Sequence, residues 1–485
     1  MSITAPVPTA GNAAPALRLP APPLPTPAEV DVLRGRVHGP VYLAGEDDPA
    51  GLAAEVACWN LAVQHQPAVV VGATCAADVV AAVAFAAEHR LPVAVQATGH
   101  GPVHAATGCL LVSTRRMQGV AVDPYRRIAR VQAGVKWKKV LEAALEHGLT
   151  PLVGSSSDVG AVGYTLGGGM GPLGRKHGFA ADHVTAVELV TADGVLRRVC
   201  ADEEPELFWA VRGGKSNLGI VTAMEIGLVP GGELVGGGIF FAGEDAAAVL
   251  HAFRTWAPAL PEEVTPSIAV LRMPVTEELP PPLRGQTVVH LRFASTGLDP
   301  AEADRLLAPM RAAGRIVLGY VGPILPTELD SVHMDPVDPM PAWEKGMLLR
   351  ELPAEAVDAL LAAAGPQLDV PLVMAELRLM GGALGRQPAV ANAVSGRGAA
   401  WSLLVLGPAV PGLTEIVAAV GGGVVAALAP WAAEESLVNF LGAVSGPEEV
   451  VAAYGPATAE RLLEVKERFD PDRVFSFGYA LNARD

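Results

Sequence analysis

Between Gly154 and Gly178 the chain places nine glycines in 25 residues, at 154, 160, 163, 167, 168, 169, 171, 174 and 178. A background of roughly 7% would supply about two. Few folds can use such a stretch as regular helix or strand, because glycine weakens both. What remains is backbone that turns sharply or comes close to something. Successive N–H groups in such a loop form a concave anion site suited to a pyrophosphate. The alternative is a bulge-rich turn region. A shorter glycine-bearing loop, Ala97-Thr98-Gly99-His100-Gly101-Pro102, follows an apolar run over 92–96. His100 has no packing use in a tight glycine turn. It is either a ligand or covalent attachment point presented by the loop, or a capping or solvent-facing histidine. The loop lacks the third glycine of a GxGxxG fingerprint, since position 104 is His104. No acid follows at the end of a second parallel strand, which argues against a Rossmann dinucleotide site.

The 485 residues provide chain for two or three domains. Hydrophobic residues make up 51% and charged residues 18%, which excludes wholesale disorder and a coiled coil. The 35 basic and 51 acidic residues give a net charge of −16, disfavouring nucleic acid or an anionic membrane as a partner. The first 30 residues, rich in Pro and Ala, have no basic or continuous apolar segment, so a tail is expected and not a secretory signal. The uncharged stretch 416–433 contains Gly421, Gly422, Gly423 and Pro430. It is predicted as a buried helix followed by a turn, not a membrane span. Cys58, Cys75, Cys109 and Cys200 stand at no CxxC or metal-ligand spacing. No disulfide framework or metal site is expected, and a reducing cytoplasm fits.

Hydrophobic periodicity predicts a β-α-β unit over 67–96, with the helix at 76–90. Strands are predicted at 109–113 and 128–133, and a helix at 137–147 stopped by Gly148. The runs 183–191 and 195–200 flank Ala192-Asp193-Gly194, a hairpin signal. Another strand is predicted at 220–229. From about Pro230 the pattern changes to helices (244–256, 300–313, 354–364) alternating with strands (287–293, 373–379, 400–406). This predicts an α+β domain with an antiparallel sheet. A charged helix over 457–475 ends at Asp470-Pro471 and is expected to pack back on the first domain.

The segments PAVVVGATCAADVVAAVAFAAEHRLPVAVQATGH, GSSSDVGAVGYTLGGGMGPLGRKHGFAADHVTAVELVTADG and LFWAVRGGKSNLGIVT together resemble the FAD-binding domain of berberine-bridge-enzyme-like oxidases, in the vanillyl-alcohol-oxidase superfamily. The final RLLEVKERFDPDRVFSFGYAL and the middle piece ELRLMGGALGR are similar to further parts of that family. The resemblance implies an α+β fold: a two-part FAD-binding domain of PCMH type, plus an α+β substrate domain with a large antiparallel sheet. The boundaries would be a tail at 1–30, FAD-binding at 31–230, substrate-binding at 231–432 and a returning segment at 433–485.

The resemblance also implies roles. His100 occupies the position of the histidine bonded to the flavin 8α-methyl, with Ala97, Thr98, Gly99, Gly101 and His104 around it. Ser155, Ser156, Asp158, Val159, Gly160, Gly163 and Tyr164 fall in the second flavin loop, followed by Gly167, Gly168 and Gly169. Gly219, Ile220 and Val221 match a backbone segment beside the cofactor, and Tyr479 lies in the returning segment. The family's second, cysteinyl attachment point is Ser156 here, so a single histidyl linkage is implied. Gln96 stands where an arginine is common, and Gly478-Tyr479-Ala480 where Asn-x-Asn is common.

Candidate catalytic residues are Tyr479, Tyr164, Tyr454, Glu376 and Arg378. A tyrosinate or carboxylate serves as base only if its neighbours adjust its pKa. Glu376 and Arg378 share one face of a predicted strand. The implied activity is an O2-using oxidase of a small alcohol, amine or phenol in secondary metabolism, with hydride transfer to flavin N5 and release of H2O2. A dehydrogenase or oxidative cyclase, and a non-catalytic binding protein on the same fold, are the alternatives. The sequence specifies neither the substrate nor the oligomeric state.

Overall fold

A computed structural model describes residues 24–101 and 104–481. Three large sheets organise the described residues, with a two-stranded pair, Leu149–Thr150 and Val229–Pro230, beside them. The first has four strands in the order Val41–Leu43, Val69–Gly72, Leu110–Ser113, Val93–Gln96. The first pair is antiparallel and the rest parallel. The predicted β-α-β unit is present, with helix Ala76–His89, but Leu110–Ser113 lies between its two strands. Continuous Val and Leu runs suit strands buried on both faces, and this sheet's strands from Val69, Val93 and Leu110 are almost wholly buried.

The second sheet is antiparallel, ordered Val120–Asp123, Ile128–Gln132, Ile220–Gly227, Val184–Val190, Leu196–Cys200. The last two form the predicted hairpin, with Gly194 at φ +73. Both glycine loops belong to these two sheets. Residues 97–101 leave the C-terminal end of Val93–Gln96, and the 154–178 region joins the two halves of the second sheet.

The third sheet has seven antiparallel strands: Ile316–Ile324, Leu234–Ala242, Thr287–Thr296, Val264–Arg272, Met374–Leu379, Trp401–Pro408 and Ala342–Leu349. Alternation gives it two different faces. Val289, Leu291, Phe293, Leu377 and Leu403 pack under helices Ala246–Trp256, Pro300–Arg311, Ala354–Ala364 and Thr414–Leu428. The opposite face carries Ser267, His290, Arg292, Glu376 and Arg378, all buried. The glycines of Leu234–Ala242 are explained by this face. A Cβ on Gly238 would sit 2.1 Å from His290 Nε2, so the bare backbone admits the imidazole, which stacks on Phe240 at 3.9 Å.

Three expectations are corrected. Residues 1–23 of the predicted tail lie outside the described residues, but Pro27–Arg34 is a helix with Val30 and Leu33 fully buried. The tail boundary at 30 cuts this helix. Helix Thr414–Leu428 is not a buried helix. Thr414–Trp431 is long and apolar enough to cross a membrane, yet it lies along the third sheet with only Val417, Gly421, Val424 and Leu428 buried and Ile416 52% exposed. The boundary at 432 also moves, because Ala433, Leu441 and Ala443 bond to the edge strand at Leu348, Gly346 and Glu344 before the chain returns. The return itself is as expected: helix Pro456–Phe469 packs on Pro205–Val211, with Arg461 paired to Glu206 and lying over Trp209.

Gly421 marks the contact between that surface helix and the sheet. A Cβ there would stand 2.2 Å from the Trp343 ring. Gly421→Ala is expected to lose about 1–3 kcal/mol by overpacking, read as a lower urea midpoint at unchanged slope.

Candidate functional site

The two glycine loops meet. A Cβ on Gly160 would be 3.4 Å from the Thr98 side chain and 4.0 Å from Ala97 Cβ. Among the described residues, the backbone N–H groups of Thr98, Gly99, His100 and Gly101 have no protein acceptor, nor do those of Ser155, Ser156, Val159 and Gly160. Some belong to exposed residues, His100 and Gly101, and some to buried ones, Ser156 and Gly160. Eight free donors on two loops that touch supply the kind of hydrogen bonds that a pyrophosphate needs. Gly163, on the first turn of Ala161–Leu166, is exposed with nothing near its Cβ position, so this wall is open. The residues present therefore fit a dinucleotide such as FAD.

The second loop is braced from both sides. Asp158 pairs with Lys136 at 2.6 Å, and its N–H donates to Ser156 Oγ at 3.3 Å. Ser157 donates through its N–H and its hydroxyl to Asp330, at 2.8 and 2.6 Å. Asp330 comes from the third-sheet half of the molecule, so this bond locks the loop to the opposite wall.

His100 is exposed, and its ring lies 4.3 Å from that of Trp59. Partial burial holds its imidazole below the ordinary pKa; Asp335 and Asp158 oppose this, while Lys215 and Lys136 add to it. Its loop is held by a segment that sequence reasoning missed. Trp59 and Asn60 donate their N–H groups to the Thr98 and Gly99 carbonyls. On their other side, Trp59 and Leu61 pair with Met340, and the Asn60 amide bonds both backbone groups of Ala342. Gly99, at φ +64, lets Cys58 pass where a Cβ would be 2.6 Å from its Cα. The only local signal was Trp and Asn side by side in an otherwise featureless stretch. Gln96 is turned away, its amide bonded to Cys58, His65 and Ala57. His104 is exposed and makes no hydrogen bond among the described residues.

Much of the glycine excess has a different use from the one expected. Cβ atoms on Gly154, Gly169 and Gly171 would stand 2.9, 2.6 and 3.0 Å from the Tyr164 side chain. These glycines make the slot for that ring, which meets Trp137 edge-on at 5.8 Å. Gly168 faces Val394 and Phe179, while Gly167 faces Asn439 and the Lys215 side chain. Gly219 packs on Val190, Ile220 is in the core of the first sheet, and Val221 is in that of the second.

The tyrosines are placed unevenly. Tyr454 is a core residue whose hydroxyl donates to the Gly213 carbonyl at 2.9 Å. Its catalytic candidacy is corrected on that ground. Tyr164 borders the Arg378 side of the site, and its buried hydroxyl has no partner among the described residues. Tyr479 donates to the Gly442 carbonyl at 3.1 Å, and Asn217 holds its own carbonyl at 2.8 Å. Burial pushes all three phenols well above their ordinary pKa, which disfavours a tyrosinate.

Glu376 is fully buried and accepts from Arg292 at 2.5 Å, Arg378 at 2.7 and 2.8 Å, and Ser267 at 2.8 Å. His333 stands 3.8 Å away. Burial opposes the charge, but the two guanidiniums prevail and hold the carboxyl well below the usual range. Glu376 is thus a permanent counter-ion with no capacity to take a proton near neutrality. Arg378 also senses the Asp335 carboxylate, so two arginines here face two acids. His290 and His333 are held neutral, first by burial and then by the arginines.

Elsewhere, His38, Cys75 and Asp78 bring three ligand-type atoms within 4.8 Å of one another. Both Asp78 oxygens are already taken by N–H groups of His38, Gly39 and Thr74 and by the Thr74 hydroxyl. All four cysteines are free thiols.

Two loops of unpaired N–H groups on a two-sheet α/β half, facing the polar side of a seven-stranded antiparallel sheet, define an FAD-binding fold of the PCMH type. Residues 67–199 match the family model described as an FAD binding domain. Over 307 residues the chain is 30% identical to (R)-6-hydroxynicotine oxidase of Paenarthrobacter nicotinovorans, covering 59% of this chain and 62% of that one. The match spans 48% of the next relative's length, an FAD-linked oxidoreductase of Bacillus subtilis. The crystal structure of 6-hydroxy-D-nicotine oxidase from Arthrobacter nicotinovorans superposes at a TM-score of 0.77 and 25% identity, over 92% of this chain and 98% of that one. The berberine-bridge-enzyme-like protein 1 of Physcomitrella patens shares the fold at 18% identity and a TM-score of 0.81, covering 94% and 100%. The chain carries an FAD binding domain over 67–199 and shares its fold with 6-hydroxy-D-nicotine oxidase and the berberine-bridge-enzyme-like protein.

Two substitutions separate packing from the charged wall. Tyr454→Phe is expected to lose about 1 kcal/mol, the net worth of one hydrogen bond. Glu376→Gln, which leaves two buried guanidiniums uncompensated, is expected to lose about 3–5 kcal/mol. Chemical denaturation of each variant checks both values.

Proposed function

We propose that this chain is an FAD-linked oxidase of a small alcohol, amine or phenol, with the flavin attached once, through His100. The observation that carries the reading is the cradle of unpaired N–H groups at 98–101 and 155–160, with His100 presented at its open side. Bound FAD supplies a two-electron hydride acceptor. The chain's own groups then have separable tasks. The two loops hold the pyrophosphate through backbone donors. His100, kept largely neutral, retains a free lone pair for the flavin 8α-carbon. Ser156 is buried and occupied with the Asp158 N–H, and its hydroxyl forms no thioether. The Arg292–Glu376–Arg378 wall closes the substrate side with charges fixed by their pairing. Dioxygen as the final acceptor is supported by the oxidases among its relatives.

The purified protein is expected to be yellow, and its colour to remain in the pellet after acid precipitation. His100→Ala is expected to reduce acid-stable flavin to background while leaving secondary structure intact. A panel of alcohols, amines and phenols is expected to include compounds that drive oxygen uptake with one peroxide released per O2. Turnover only with an artificial electron acceptor would replace the oxidase with a dehydrogenase. A colourless protein that does not take up FAD would overturn the reading altogether.

A further inference from the structure

Two charged side chains in the cleft are left unused by this account. Lys215 lies in the turn after helix Pro205–Val211, at φ +59, a left-handed conformation that a side chain adopts only under local constraint. Its side chain crosses the bare Cα of Gly167, where a Cβ would be 2.6 Å from Lys215 Cε. Its Nζ arrives 5.8 Å from the centre of the Tyr479 ring. Glu344 lies on the edge strand Ala342–Leu349. Its neighbour Trp343 is seated against Gly421 on the helix-covered face. Alternation therefore turns Glu344 to the cofactor side, and Ala443 N–H fixes its carbonyl at 2.8 Å.

Among the described residues, neither the Lys215 ammonium nor the Glu344 carboxyl has a hydrogen bond or an ion-pair partner within contact. Each senses the other only at longer range. Both residues are half-buried, and opposite charges taken partly out of water commonly close on one another or acquire other partners. Here they stand apart across a gap beside Tyr479, on the side where His100 also senses Lys215. A hydroxyl fills such a gap with matched polarity, its oxygen accepting from the ammonium and its hydrogen donating to the carboxylate. A protonated amine has no lone pair to accept from the Lys215 ammonium, so it matches the pair less well.

We propose that Lys215 and Glu344 are the substrate-binding and proton-accepting pair of this cleft, and that they select a hydroxyl compound over an amine. This rests on the oxidase reading above. As the hydride leaves the carbinol carbon for the flavin, the C–O bond becomes C=O and the hydroxyl proton passes to the Glu344 carboxylate. The substrate loses two electrons and the flavin gains them. Lys215 holds the oxygen throughout. Burial pushes the Glu344 carboxyl up to about 7 against the pull of Lys215, and pushes the Lys215 ammonium down to about 8 against the pull of Glu344. The other titratable groups around the pair are Tyr479, raised well above its ordinary range, and His100. Glu449 and Lys345 are engaged with each other, and Glu376 with its arginines.

The test uses the flavin-loaded enzyme with Glu344→Gln, Glu344→Asp, Lys215→Met and Lys215→Arg, and matched pairs such as benzyl alcohol and benzylamine within the wider panel. Anaerobic reduction by a hydroxyl compound is expected to be bell-shaped with pH, limited by Glu344 on the acid side and by Lys215 on the alkaline side. Glu344→Gln is expected to slow reduction about 10²- to 10⁴-fold, the usual worth of a general base, with Glu344→Asp partly restoring it. Lys215→Met is expected to weaken binding about 10- to 100-fold and remove the alkaline limb, and Lys215→Arg to recover binding without that limb. A second measurement does not depend on turnover. Glu344 has a folded pKa above its ordinary 4.5, so its contribution to stability falls as pH rises from about 4.5 to about 7. Thermal unfolding of Glu344→Gln is expected to lose that part of the slope. Variants that keep full flavin and reduce at the wild-type rate with an unchanged pH profile would overturn the pair and leave the oxidase standing. Amines outperforming their matched alcohols would overturn the selectivity. A wild-type protein without flavin, or reduced by nothing in the panel, would remove the oxidase reading itself.

Discussion

The site depends on a short ladder of hydrogen bonds made by the backbone of Trp59, Asn60 and Leu61 and by the Asn60 side-chain amide. On one side the ladder takes the carbonyls of Thr98 and Gly99; on the other it grips Met340 and Ala342. It ties the loop that presents His100 to the start of the strand that carries Glu344. Each bond is worth only about 1 kcal/mol net. Together they fix two loops that have little packing of their own. The Ser157–Asp330 contact does the same for the second glycine loop. These polar contacts set the cofactor wall against the substrate wall, over an apolar core the two halves share, where Met170 and Phe179 pack with Leu348, Met380 and Leu384.

Electrostatics divide the cleft into two kinds of charge. Glu376 is locked between Arg292 and Arg378, and its protonation state is fixed. Lys215 and Glu344 are half-buried without being paired, so their protonation responds to what enters. A site that must both hold a substrate and move a proton needs both kinds, and burial with or without a partner is what separates them.

The elements were largely legible because their patterns are local. The valine runs at 69–72 and 93–96, the hairpin around Ala192-Asp193-Gly194, and the helix at 354–364 all lie where periodicity puts them. The two glycine loops were also found, and they do meet. What each glycine does was not legible, because that depends on a partner distant in sequence. Gly154, Gly169 and Gly171 open a slot for Tyr164, and Gly238 admits His290. The 414–428 helix was misjudged for a related reason. Composition reports how apolar a helix is, not how much of it is covered. Lys215 and Glu344 lie 129 positions apart, and no spacing rule connects them. Tyr454 was singled out for its residue type, and its hydroxyl found a carbonyl in the core.

Gly421 lies on the outer side of the third sheet, far from any cofactor loop. It leaves room for Trp343, one of the residues on the outward face of the edge strand. A strand has only two faces, and a shift of one position exchanges them. The register with Trp401–Pro408 turns Glu344 inward, and the bare backbone of Gly421 is part of what lets the outward face pack in that register. A family that varies that helix would be expected to vary the chemistry of its cleft with it, although the two never touch.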